Sequence, residues 1–178
     1  KPRFQMLLMG PGGIGKTTFC TKLPNHLILV TEPGDDFKRR RPLKLETWKD
    51  FTDVVDLLGT QKHDIEWVSV DTLDKLWTLG ADCICKEEGW AEIGDAGYGS
   101  GYSKVNELLR SQAYRLHYET RVNIVWTAHT KIVEEPKGKG ETKKKIVPSL
   151  MPSTLNIMNE FITSTVYLGL RANENGDF

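Results

Sequence analysis

Cysteine is scarce in this chain of 178 residues, and the three present, Cys20, Cys83 and Cys85, form no CxxC pair. An odd set without that spacing excludes a disulfide framework and the usual zinc sites. It points to a reducing, cytoplasmic setting. An excess of either charge is also missing, because 24 lysines and arginines balance 24 aspartates and glutamates. No overall field then draws the chain to nucleic acid or to a membrane surface, and any basic surface must come from local clustering. Apolar runs are short, 27-LILV-30 among the longest, against the roughly 20 residues that a membrane span needs. The first residues lack the charged-then-apolar pattern of a signal peptide. The expectation is a cytoplasmic protein with no membrane partner.

What is present is the material of one globular domain. A hydrophobic content of 39% is enough for a single core, and the length suits one domain over residues 1–178. Short apolar runs at 4–9, 27–31, 67–70, 122–128 and 164–170 read as strands. Helical patterns occupy 16–23, 48–58, 73–88, 103–119 and 153–161. Thr47 with Asp50 three residues on marks a helix start. Buried strands alternating with helices predict an α/β fold, a mainly parallel β-sheet with helices on both faces. The stretches 32–42, 94–102 and 130–149 read as loops, the last rich in lysine.

The chemistry is concentrated in 10-GPGGIGKT-17, which follows the first strand and opens the first helix. Glycines let such a loop fold back so that its amides point at phosphate oxygens. Gly10, Pro11, Gly12, Gly13, Ile14 and Gly15 would form the cradle, with Thr18 just beyond it. Lys16 would reach the β- and γ-phosphates of ATP, and the Thr17 hydroxyl would ligate Mg2+. Asp71, at the end of 67-WVSVD-71, is the candidate to hold the metal; read alone, it serves equally well as a helix cap. No glutamate follows Asp71 directly, so Glu32, just past the second strand, is the best-placed carboxylate to orient or deprotonate water. His129 ends the fourth strand, where a neutral imidazole would sense the γ-phosphate or serve a purely structural role.

With these pieces in order, the chain resembles the ATPase core of the RecA family, most of all the minimal phage-encoded RecA-like proteins of single-strand annealing and recombination. The points of likeness are 10-GPGGIGKTT-18, Glu32, 68-VSVDT-72, the glycine-rich 93–102 and His129. The resemblance implies that Glu32 activates water and that Asp71 holds the metal. It implies that His129, where relatives usually carry glutamine, couples nucleotide to DNA. It also implies a strand order in which the His129 strand lies between the other two site strands.

Two DNA loops follow from the same likeness. One is 89–102 with Tyr98 and Tyr102; the other is 130–149 with Lys137, Lys139, Lys143, Lys144 and Lys145. Single-stranded DNA is the implied partner, with self-association and a single-strand binding protein as further partners. The implied location is a phage-infected or lysogenic bacterial cell. A cation cluster, 38-KRRR-41, is a finger candidate by charge alone, and Phe37 lies in a plausible adenine-stacking loop. A small-molecule kinase and a non-catalytic nucleotide switch remain the alternatives.

Overall fold

The computed structural model describes residues 3–32, 42–138 and 141–170. Phe37, the 38–41 cations and Lys139 lie outside the described residues. Six strands form one sheet: β1 (Gln5–Met9), β2 (His26–Val30), β3 (Leu43–Lys44), β4 (Trp67–Asp71), β5 (Asn123–Ala128) and β8 (Ser164–Tyr167). Their order is β3-β2-β4-β5-β1-β8, and every neighbouring pair is parallel. The strand ending before His129 therefore separates the P-loop strand from the Asp71 strand, as the resemblance implied. Among the described residues the outermost strands are short, β3 with two residues and β8 with four.

The helices are α1 (Lys16–Cys20), α2 (Trp48–Thr60), α3 (Leu73–Glu88), α4 (Ser100–Tyr118) and α5 (Pro152–Met158). They are unequally shared between the faces of the sheet. The main core packs Phe51, Val54 and Leu58 of α2, Leu73 and Leu76 of α3, Leu109 and Leu116 of α4 and Met158 of α5 on Leu7, Val68, Ile124 and Trp126. Cys20 of α1 meets Met6, Leu8 and Val125 on the other face. Burial in this small second cluster pushes the Cys20 thiol up to about 12, so it is an inert packing group.

Local chemistry sets the helix limits. Thr47 and Asp50 form a full capping box at α2, the Asp50 carboxylate accepting the Thr47 N–H at 2.8 Å. The first helix is three residues shorter than its sequence pattern: Lys22 and Leu23 bond back to Phe19 and Cys20, tightening the last turn ahead of Pro24. The glycine-rich stretch is not all loop. A 3-10 turn (Ile93–Ala96) precedes α4, which begins at Ser100 and takes in Gly101 and Tyr102.

The largest correction concerns residues 130–149. They fold into an antiparallel ribbon, β6 (Thr130–Gly138) and β7 (Glu141–Pro148), which among the described residues pair with each other alone. Two features make the lysine run compatible with a strand. Ile132, Val133, Ile146 and Val147 supply β-branched residues, and Lys144 and Lys143 stand opposite Glu134 and Glu135.

Candidate nucleotide-binding site

The loop 10–15 joins β1 to α1 at the carboxyl edge of the sheet. Gly10 lies so close to the end of β8 that a β-carbon there would sit 2.6 Å from the Leu168 carbonyl oxygen. Gly15 caps α1 at φ +102°, in the left-handed region that favours glycine. These two positions explain why the loop must be glycine at its start and end. Gly12 meets nothing within 4 Å of an added β-carbon.

Lys16 is 5% exposed, and its ammonium donates to the carbonyls of Gly10 and Pro11, each at 2.9 Å. Burial pulls its pKa below the usual lysine value, against the opposing pull of the Asp71, Asp74 and Glu32 carboxylates. A buried cation ringed by carbonyls, with three carboxylates near, is suited to receive a polyphosphate.

Asp71 is held on both oxygens. Thr17 Oγ1 donates to Oδ2 and Thr127 Oγ1 to Oδ1, each at 2.6 Å. Because the Thr17 proton points at Asp71, the lone pairs of its oxygen remain for a cation. Among the described residues no three histidine, cysteine or carboxylate side chains could hold a metal by themselves. The oxygen donors of Thr17 and Asp71 fit Mg2+, which is bound by one or two protein groups together with phosphate oxygens and water. The buried hydroxyl of Thr72, next to Asp71 in sequence, has no partner among the described residues.

Glu32 follows β2 and is rooted by its neighbour: the Thr31 N–H and hydroxyl both donate to the Asp71 carbonyl, at 2.8 and 3.0 Å. Its carboxylate faces Lys75 of α3 at 3.6 Å. His129 Nδ1 lies 3.1 Å from Asp74 Oδ2. The structure therefore brings Lys16, Thr17, Asp71, Glu32 and His129 to one edge. Sequence reasoning missed Thr31, Thr127, Asp74 and Lys75. Threonine at the end of two site strands was the available signal for the first pair; nothing in the sequence marked the other two.

The candidate DNA residues lie further out. Tyr98 is fully exposed at φ +48°. Tyr102 is occupied by stacking on Trp77, with ring centroids 5.9 Å apart. On the ribbon, Lys145 bonds Glu135 at 2.9 Å, and Lys137, Thr142, Lys143 and Lys144 line a shallow groove. Consecutive strand residues alternate in direction. The run 143–145 is therefore divided: Lys143 and Lys145 share a face with Lys131 and Glu135, and Lys144 faces away beside Glu134, Ile132 and Ile146.

A glycine loop closing on a buried lysine, across from a hydroxyl-held aspartate on a parallel sheet, defines a P-loop nucleotide-binding protein of the ATPase class. The chain matches the family described as an AAA domain over residues 3–177 and belongs to that family. Proteins of this class bind ATP with Mg2+. No curated protein matches the chain. Among the described residues no helix is long and apolar enough to cross a membrane.

Proposed function

We propose that this protein hydrolyses ATP as a RecA-like motor or switch, and that its nucleotide state governs a basic ribbon that binds single-stranded DNA in phage-type recombination or strand annealing. The observation that carries this reading is the continuous path from P-loop to ribbon. The Gly10 N–H donates to the Ala128 carbonyl, and the next residue, His129, accepts the Ser149 N–H at 2.7 Å. Both roots of the ribbon thus meet at the residue beside the nucleotide loop. A change in the loop has a short, hydrogen-bonded route to the ribbon.

In this reading Lys16 and the loop amides bind the phosphates, and Glu32 orients the attacking water. Mg2+, held by Thr17 and Asp71, neutralises charge on the phosphates. His129 reports the γ-phosphate to the ribbon, and the face carrying Lys131, Lys143 and Lys145 neutralises DNA phosphates. The test is anisotropy of a labelled single-stranded oligonucleotide with ATP, with ADP and without nucleotide, at two salt concentrations. Binding strengthened by ATP supports the reading, and absence of binding in all three states rejects it.

One observation favours a second reading. Ile132 and Ile146 stand opposite each other on the ribbon, 66% and 43% exposed. An apolar pair in that position suits a protein partner, and the protein would then be a nucleotide switch. ATP hydrolysis indifferent to DNA favours that alternative.

A further inference from the structure

Asp74 lies in the first turn of α3, three residues beyond Asp71. Its Oδ2 is 3.1 Å from His129 Nδ1. The carboxylate oxygen accepts in this bond and Nδ1 donates, so a ring that carries a single proton has Nε2 as an acceptor. The other oxygen, Oδ1, is buried, and no donor among the described residues reaches it. An orphaned buried carboxylate oxygen is costly unless water or a ligand completes it. Asp74 is also close enough to raise the Lys16 pKa against the effect of burial, which sets it within the field of the P-loop.

We propose that Asp74 is a positioning residue for nucleotide sensing: it fixes His129 as the Nδ1–H tautomer, so that His129 engages the terminal phosphate through a bridging water and not by direct donation. This rests on the relay role of His129 proposed above. Phosphate oxygens and a bare Nε2 are both acceptors and repel each other at contact distance. A water donates one proton to each. Asp74 Oδ1 is a second, buried acceptor of the pair, and a water donating to it would satisfy it in the same way. The same bond ties the start of α3, which leads to the Tyr98 turn, to the root of the ribbon.

The experiment uses the full chain. Long-range 1H–15N NMR of histidine-labelled, nucleotide-free protein reads the tautomer of His129, with His129→Gln identifying its signals among the four histidines. The Nδ1–H form is expected in the native protein and in Asp74→Asn, which keeps an acceptor. In Asp74→Ala the Nδ1 preference is lost. Steady-state kinetics follow the same pattern: Asp74→Ala lowers kcat roughly tenfold, the worth of one hydrogen bond to a charged group, with KM for ATP little changed, and Asp74→Asn recovers most of it. A native Nε2–H tautomer overturns the proposal whatever the variants do. So does an Asp74→Ala protein whose KM rises while kcat holds, since Asp74 would then act on Lys16 alone. Failure of the native protein to bind ATP would reject the functional reading and leave the tautomer result standing.

Discussion

Thr17 Oγ1 donates to Asp71 Oδ2 across 2.6 Å, joining the first turn after the glycine loop to the end of a strand two places away in the sheet. The bond orients both oxygens that suit Mg2+. Preorganisation of this kind spares the ligand the cost of ordering the site.

Asp71→Asn keeps the size of the side chain and removes its charge. Titration with a fluorescent ATP analogue should show the Mg2+-dependent gain in affinity reduced by about tenfold or more, as when a group that orients a metal is lost. Affinity in excess EDTA should barely move. An equal loss in both conditions would mean that Asp71 shapes the loop and does not serve the metal.

Lys16→Ala should abolish ATP binding, whereas Glu32→Gln should leave binding intact and slow hydrolysis by about a hundredfold, the low end for general-base loss. Isothermal titration and phosphate release measure the two separately. Equal loss of binding in both variants would refute this division of labour.

Gly10 and Gly12 should part company under the same substitution. Gly10→Ala drives a methyl into the Leu168 carbonyl and Ile14, and should cost about 1–3 kcal/mol in urea unfolding, the usual penalty of overpacking. Gly12→Ala meets open space and should stay within about 0.5 kcal/mol of the native protein. Comparable losses in the two would contradict the close approach at Gly10.

His117 should lend the fold a pH dependence. Trp126 Nε1 donates to Gln5 Oε1 at 2.9 Å, which turns the Gln5 amide nitrogen toward His117 Nδ1 at 3.1 Å. That nitrogen must therefore stay unprotonated. Burial, then the nearby Arg3 charge, lowers the His117 pKa from 6.5. The unfolded chain thus binds more protons between the lowered value and 6.5, so stability falls as pH drops through that window and levels off below it. Melting curves from pH 8 to pH 5 should show this loss, and His117→Gln should flatten it. An unchanged slope in the variant would assign the dependence elsewhere.

The divided lysine run gives a face-specific test of DNA binding. Lys143→Ala and Lys145→Ala should each weaken single-stranded DNA binding and lower the salt slope by about one. Lys144→Ala, on the face with Glu134 and the isoleucine pair, should have little effect. Equal losses from all three would mean that the strand does not follow one face of the ribbon.

Much of this was legible in order along the chain. The loop 10–17, the strand ends at Asp71 and His129, the capped start at Thr47 and the α/β alternation all depend on neighbours within a few residues, which is the range over which periodicity and turn chemistry speak. The ribbon was misread because a lysine run looks like solvated loop until its partners are known. Glu134 and Glu135 are about ten residues away and become relevant only when the strands pair in register.

The sequence by itself determined a glycine loop of P-loop type and which strand ends face it, because glycine at Gly10 and Gly15 and a buried apolar strand admit few alternatives. Only the tertiary structure decided what surrounds the cradle. Thr127 reaches Asp71 across 56 residues and Asp74 reaches His129 across 55. Such pairs arise from strand order and helix docking, which bring together groups whose spacing along the chain carries no periodic signal.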